Sequence, residues 1–140
     1  MALGRAVGER TGRGMCVILA GPLGAGKTTL VRGLCEGLGV DESVVSPTFI
    51  LYEEFAGRRP VVHIDLYRLE HEREIEDLGV FEMIGGEAVI LAEWGERSPA
   101  LTADADMIVE ISPAGESVRD FHVSCTAQCA ADLAEVTQWS

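Results

Sequence analysis

Residues 21–29, Gly-Pro-Leu-Gly-Ala-Gly-Lys-Thr-Thr, combine three glycines with a lysine and two threonines. They match the phosphate-binding pattern Gly-x-x-x-x-Gly-Lys-Thr at every fixed position, and Lys27 is the only lysine in the chain. In this pattern the loop N–H groups surround phosphate oxygens, the ammonium reaches the terminal phosphates and the threonine hydroxyl coordinates magnesium. A glycine turn without a ligand is the alternative. The residues predicted to bind a nucleotide here are Leu23, Gly24, Ala25, Gly26, Lys27, Thr28 and Thr29.

The segments on both sides have the order that such a phosphate-binding loop, or P-loop, requires. Residues 15–20 are a continuous apolar run of strand length, and the loop follows them directly. Residues 28–38 then carry apolar side chains at helical spacing, and Gly39 provides a helix stop. Strand, glycine loop and helix therefore follow one another, which strongly favours a functional P-loop over an incidental turn.

Two carboxylates are predicted at the carboxyl ends of strands, where a divalent cation needs an acidic partner. Asp65 ends the strand at residues 61–65, and Glu93 follows the apolar strand at residues 88–92. Asp65 fits the magnesium-organising role because it is short and ends a strand near the loop in sequence, and Glu93 fits the positioning of an attacking water. The predicted catalytic residues are Lys27, Asp65 and Glu93, and the predicted metal ligands are Thr28, Asp65 and Glu93. A strand-end carboxylate without function is the alternative for one of the two acids.

Two further positions are predicted to contact the nucleotide. Thr48, in Ser46-Pro-Thr48, follows the P-loop helix, where switch segments present a hydroxyl to magnesium or to the terminal phosphate. A plain proline turn is the alternative. Trp94 directly follows Glu93, and it either covers the site or packs as a core aromatic.

The remaining pattern predicts an α/β fold in three layers with a mixed sheet. A short helix is expected at residues 2–10, a hairpin at residues 49–55 and 61–65, and one or two short helices at residues 70–84, broken near Gly79. A second hairpin is expected at residues 107–111 and 118–123, and a weak helix at residues 127–138. These elements indicate a P-loop NTPase-type domain with a parallel core and antiparallel hairpin strands, whose site lies at the carboxyl ends of the strands.

Composition and charge narrow the classes of protein. The 140 residues, 47% of them hydrophobic, suit a single domain with one core. A net charge of -12 disfavours direct binding to DNA or RNA, so a role with nucleic acid is expected to run through a partner. The apolar runs are too short to span a membrane, and four cysteines without a Cys-x-x-Cys pair favour reduced thiols in a cytoplasmic protein.

Four motifs occur in a fixed order: the P-loop, Ser-Pro-Thr-Phe at 46–49, His-Ile-Asp-Leu-Tyr-Arg at 63–68 and Ala-Glu-Trp at 92–94. Together they resemble the TsaE family, also called YjeE, the bacterial ATPase of tRNA threonylcarbamoyladenosine synthesis. The resemblance runs from about residue 3 to residue 123. It implies a P-loop ATPase domain at residues 1–123, followed by a tail at residues 124–140 without a family counterpart. The family's usual first strand precedes the segment matched by the predicted first helix, so that strand is expected to be missing here.

The resemblance also implies ligands and partners. The ligands are ATP and Mg²⁺, and the partners are the TsaB and TsaD proteins, which install the threonylcarbamoyl group on tRNA and whose repeated turnover ATP hydrolysis supports. Contact with tRNA is expected only through that complex. Carried over by position, the matching residues are Lys27 and Thr28 in the nucleotide loop, Thr48 in the switch-like segment, Asp65 as the magnesium-organising acid, and Glu93 with Trp94 as an acid-aromatic pair.

Three rival functions share a P-loop. A small-molecule kinase needs an acceptor site and a lid with arginines, for which this chain has little room. A regulatory GTPase commonly reads guanine through Asn-Lys-x-Asp, and the chain contains no asparagine. An adaptor that binds ATP without significant hydrolysis is the third rival, and measuring phosphate release with and without the partner proteins separates it from an ATPase.

Overall fold

A computed structural model describes residues 2–10, 14–22, 24–41, 52–116 and 118–126. These residues contain a six-stranded sheet, five α-helices and one 3₁₀ turn at Gly95–Arg97. The strands are β1 (Cys16–Ala20), β2 (Tyr52–Ala56), β3 (Pro60–Asp65), β4 (Val89–Glu93), β5 (Met107–Pro113) and β6 (Arg119–Cys125). The helices are α1 (Ala2–Arg10), α2 (Lys27–Gly37), α3 (Arg73–Asp77), α4 (Val80–Met83) and α5 (Pro99–Asp104). Among these described helices none is both long and apolar enough to cross a membrane.

The sheet has the strand order β2-β3-β4-β1-β5-β6. The four inner strands are parallel, while β2 and β6 pair antiparallel with their hairpin partners at the two edges. The predicted mixed sheet, with a parallel core and two hairpins, is therefore confirmed. The strands β3, β4 and β1 are neighbours, so their carboxyl ends lie side by side at the same end of the sheet. Ligands bind at this end in sheets of this kind.

Alternating residues of the parallel strands build two cores on opposite faces of the sheet. One face packs against α1 and α2, and the other packs against α3, α4 and α5. In β1, for example, Val17 and Leu19 belong to the first core while Cys16 and Ile18 belong to the second. All five β1 residues are buried, as expected for a central parallel strand covered on both faces. The result is the predicted three-layer domain.

Helices α1 and α2 approach each other through glycines. A Cβ on Gly8 would lie 2.2 Å from the Leu34 carbonyl oxygen, and a Cβ on Gly37 would lie 2.2 Å from the Arg5 carbonyl oxygen. The guanidinium of Arg58 donates to the carbonyl oxygens of Gly8 at 3.2 Å and Gly37 at 2.6 Å, and it thereby satisfies acceptors near both helix C-termini. This contact fixes α2, whose other end carries the P-loop.

The region between β3 and β5 contains two elements that the sequence patterns did not predict. Helices α3 and α4 meet at Gly79, as predicted, but α5 and the 3₁₀ turn had no assignment. The signal for α5 is Ser98-Pro99: the Ser98 hydroxyl accepts from the Leu101 N–H at 3.0 Å, and Pro99 occupies the first helical turn. The predicted helix at 127–138 and residues 49–51 of the predicted strand lie outside the described residues.

We expect Gly8→Ala to lower the free energy of unfolding by about 2–3 kcal/mol, because the added methyl group forces α1 away from the Leu34 carbonyl. Urea unfolding measures this change. Gly115→Ala is the matched control, because a Cβ at Gly115 meets its nearest atom at an ordinary 3.8 Å. Equal stabilities of the two variants would contradict the role of glycine at the helix contact.

Candidate active site

The loop between β1 and α2 is shaped for an anion. Gly24 and Gly26 have φ angles of 78° and 102°, backbone conformations that residues with a Cβ rarely adopt. The Ala25 N–H donates to the Pro22 carbonyl at 3.1 Å, and this bond closes the turn. Pro22 has no N–H of its own to offer to an anion. No described side chain caps the N-terminus of α2, so its first amides and the positive end of its dipole face the site. Such a helix end attracts phosphate oxygens.

The Lys27 ammonium lies inside the loop. It donates to the carbonyl oxygens of Gly21 and Pro22, the latter at 3.0 Å, and only 5% of the residue is exposed. Burial lowers the pKa of Lys27, while the negative charges of Glu93, Glu96 and Asp65 oppose that shift. The ammonium is therefore held by neutral carbonyl acceptors and by the charges of acids that do not bond to it directly. A phosphate oxygen would form a stronger, charge-assisted hydrogen bond with it.

Glu93 ends β4 directly beside the loop. The Thr28 hydroxyl donates to Glu93 Oε1 at 2.9 Å, and Glu93 is only 3% exposed. In the sheet register Glu93 pairs with Leu19 of β1 on one side and with Asp65 of β3 on the other. The acid nearer to the P-loop is therefore Glu93, because β4 lies between β3 and β1.

Asp65 lies one strand further from the loop than Glu93. Its Oδ1 accepts from the Tyr67 N–H at 2.9 Å, which turns the chain at the end of β3. Burial raises the pKa of Asp65, and the charge of Glu93 adds to that rise, while the Tyr67 N–H, His63 and Lys27 oppose it. Asp65 is thus a half-buried carboxylate that faces the same cleft without touching Thr28 in the way Glu93 does.

Trp94 covers the ammonium. The Lys27 Nζ lies 3.9 Å from the centroid of the Trp94 ring, a cation–π contact. Trp94 has φ of 60° and is the only non-glycine residue with positive φ in the described part of the chain. The Tyr67 ring packs against the indole at 5.1 Å between centroids, and the Arg97 guanidinium lies 5.3 Å from each ring. Strained backbone of this kind concentrates at functional sites.

These groups enclose one cleft of about 370 Å³. The structure brings together most of the predicted site residues with one addition, Tyr67. Leu23 and Thr48, which are also predicted to bind the nucleotide, lie outside the described residues. The lining residues are Gly24, Ala25, Gly26, Lys27, Thr28, Thr29, Asp65, Tyr67, Glu93 and Trp94.

Three residues near the cleft were missed by sequence reasoning. The His63 Nε2 lies 2.6 Å from Glu93 Oε2, and the Arg119 Nε donates to the Ala25 carbonyl at 3.3 Å. Glu96 is close enough to Lys27 for their charges to interact, and burial raises the pKa of its carboxyl. The available signal for His63 was a histidine inside an otherwise apolar strand. No signal points to Arg119, because only the hairpin of β5 and β6 brings it to the loop.

The donor set suits Mg²⁺ in a nucleotide site. Within the described residues there is no group of three or more His, Cys, Asp or Glu side chains that could hold a metal alone. Mg²⁺ on a nucleotide does not need such a cage, since it takes one or two carboxylates, phosphate oxygens and water. The Thr28 hydroxyl and the Glu93 carboxylate are hard oxygen donors in contact with each other at the end of α2. These residues fit the group.

The strand order and the glycine loop before α2 define a three-layer α/β domain of the P-loop NTPase type. The family model for "Threonylcarbamoyl adenosine biosynthesis protein TsaE" matches residues 1–121. The chain therefore belongs to the TsaE family, as the motifs predicted. This membership confirms a part in tRNA threonylcarbamoyladenosine biosynthesis at the level of the family.

Individual relatives agree with this assignment. The chain is 36% identical over 121 residues to the tRNA threonylcarbamoyladenosine biosynthesis protein TsaE of Treponema pallidum, covering 86% of this chain and 90% of that protein. It is 41% identical over 103 residues to the protein of the same name from Haemophilus influenzae, covering 72% of this chain but 65% of that relative. The crystal structure of Bacillus subtilis YdiB matches with a TM-score of 0.75 at 25% identity, covering 98% of this chain and 86% of that one.

We expect Asp65→Asn to raise the melting temperature of the ligand-free protein at pH 7. The raised pKa of Asp65 means that its ionised form is disfavoured in the folded state, so the cost is present at neutral pH and disappears as pH falls through that pKa. The gain should therefore shrink between pH 7 and pH 4, as measured by calorimetry.

The exposed Asp120→Asn is the matched control for this pH series, because it makes the same chemical change on the surface of β6. A gain for Asp65→Asn that is independent of pH, or no gain at all, would contradict the electrostatic explanation.

Proposed function

We propose that this chain is a magnesium-dependent ATPase that supports tRNA threonylcarbamoyladenosine synthesis together with the TsaB and TsaD proteins. The observation that carries the proposal is the contact of the Thr28 hydroxyl with Glu93 at the open N-terminus of α2, beside the buried ammonium of Lys27. The loop amides, the ammonium, the hydroxyl and the carboxylate together make a site for a metal-bound polyphosphate.

In this proposal Lys27 binds the terminal phosphates of ATP. Its Nζ now bonds to two loop carbonyls and faces the Trp94 ring, and none of these partners carries a full negative charge. A phosphate oxygen offers a charge-assisted bond that is stronger than the bonds to neutral carbonyls. The loop amides and the dipole of α2 supply the remaining positive potential.

We assign the magnesium carboxylate to Glu93 and the positioning of water to Asp65, which reverses the division that the sequence favoured. Glu93 touches Thr28, whereas Asp65 lies across β4 from the loop. Bound Mg²⁺ would neutralise charge that develops on the phosphates. Asp65, half-buried and held by the Tyr67 N–H, faces the cleft where an attacking water would stand.

Hydrolysis by the isolated chain is expected to be slow. The Arg97 guanidinium lies over the rings of Tyr67 and Trp94, and Arg119 reaches the loop only through the Ala25 carbonyl. Neither of these two described arginines donates to the open side of the loop, where an arginine finger would stabilise the transition state. Partner proteins are proposed to complete the site.

We expect Lys27→Ala to weaken binding of Mg-ATP by about 100-fold or more, because it removes the one ammonium in the loop. Calorimetric titration measures the affinity, and circular dichroism checks that the fold remains. Arg32→Ala is the matched control, since it removes one positive charge from the exposed side of the same helix. Unchanged affinity in Lys27→Ala would contradict the proposed role.

We also expect this chain, mixed with TsaB, TsaD, tRNA, Mg-ATP and a threonylcarbamoyl donor, to release phosphate faster than it does alone and to sustain many rounds of tRNA modification. Glu93→Gln should support neither, because an amide is a poor magnesium ligand. The measurements are phosphate release and the amount of modified adenosine per complex. ATP binding without stimulated release would favour the adaptor over the ATPase.

A further inference from the structure

His63 is a fully buried histidine in the interior of β3. It is 0% exposed, and its strand neighbours Val61, Val62 and Ile64 are buried apolar residues. Its side chain points to the face of the sheet that packs against α2, because β3 alternates and Val61 lies in that core. A polar ring in such a place costs folding free energy unless it forms hydrogen bonds, so a buried partner is expected.

The contact that His63 makes is with Glu93. Its Nε2 lies 2.6 Å from Glu93 Oε2, while Glu93 Oε1 accepts from the Thr28 hydroxyl at 2.9 Å. The register of β3 and β4 sets His63 opposite Leu91, so that Glu93 is its diagonal neighbour on the same face. Each carboxylate oxygen therefore has a different donor, one from β3 and one from α2.

The surroundings of the second ring nitrogen, Nδ1, indicate which nitrogen of His63 carries a hydrogen. His63 Nδ1 is the only buried side-chain N or O atom without a hydrogen-bond partner in the described part of the chain. An ionised carboxylate only accepts, so Nε2 must carry the hydrogen, and a hydrogen on Nδ1 would have no acceptor. The geometry therefore places a hydrogen on Nε2.

We propose that His63 is a positioning residue for Glu93, an inference that rests on the proposed function. The last torsion of a glutamate side chain is broad, so a carboxylate with a single partner can rotate. The bond from His63 to Oε2 removes that freedom and keeps Oε1 turned towards Thr28, where these two residues would hold a divalent cation. Groups that hold metal ligands in this way tune metal affinity although they never touch the metal.

The test compares His63→Met with His63→Gln. Methionine fills the space without a donor, while the glutamine amide nitrogen reaches about as far as the histidine Nε2 and can donate to Glu93. We expect His63→Met to raise the Mg²⁺ concentration needed for tight ADP binding by about 10-fold, and His63→Gln to restore it to within about 3-fold of the parent. Calorimetric titration of ADP at a series of Mg²⁺ concentrations measures this, and ADP binding in EDTA should be unchanged.

Val62→Ala separates positioning from simple loss of stability. Val62 is a buried neighbour of His63 on β3 that belongs to the core on the opposite face of the sheet. We expect this variant to lower the melting temperature and to leave the Mg²⁺ requirement unchanged. An equal shift of the requirement in Val62→Ala, or equal requirements in His63→Met and the parent, would overturn the proposal.

A second measurement uses the unsubstituted protein. Nitrogen-15 NMR of labelled histidine shows which ring nitrogens carry a hydrogen, and comparison with His71→Gln and His122→Gln, both at exposed positions, assigns the His63 signals. A hydrogen on Nε2 supports the proposal, and a ring whose Nε2 carries no hydrogen overturns it.

The outcomes also separate this inference from the proposed function. A parent protein that shows no Mg²⁺-dependent ADP binding overturns both. Parent binding that survives unchanged in His63→Met overturns only the role of His63.

Discussion

The structure depends on holding one ammonium ion in a largely buried loop next to a buried carboxylate. Lys27 and Glu93 are 5% and 3% exposed, so neither charge is well solvated by water. Burying such charges is costly, and the surrounding dipoles and donors must offset that cost. The loop carbonyls, the Trp94 ring, the Thr28 hydroxyl and His63 all serve this purpose.

The scaffold explains why these groups keep their places. Glu93 ends β4, an inner strand that pairs with β1 on one side and β3 on the other. The next residue extends this pairing, because the Trp94 N–H donates to the Leu19 carbonyl at 3.0 Å. Helix α2 is fixed at its far end by the glycine contact with α1 and by Arg58. The site is therefore built on rigid elements. The side chains that cover it, those of Tyr67, Trp94 and Arg97, are its more exposed part.

Much of the fold followed from local patterns. Periodicity and turn residues predicted α1, α2, both hairpins and the break at Gly79, because the period of apolar residues directly reflects which face is buried. Helix α5 was missed although Ser98-Pro99 is a good start signal, since its six residues are too few to establish a helical period. His63 was treated only as part of a motif, because a histidine inside a strand gives no sign of its partner until the neighbouring strand is known.

The sequence alone determined the glycine loop between β1 and α2, the acids at strand ends and the family. A loop of this kind is local: its glycine positions and its lysine act within one turn, so their spacing is sufficient to predict their geometry. Only the tertiary structure decided that Glu93, and not Asp65, contacts Thr28, and that His63 and Arg119 reach the site. The physical reason is strand order. Which strand lies beside β1 depends on how crossover helices pack over the whole sheet, and no local pattern contains that information.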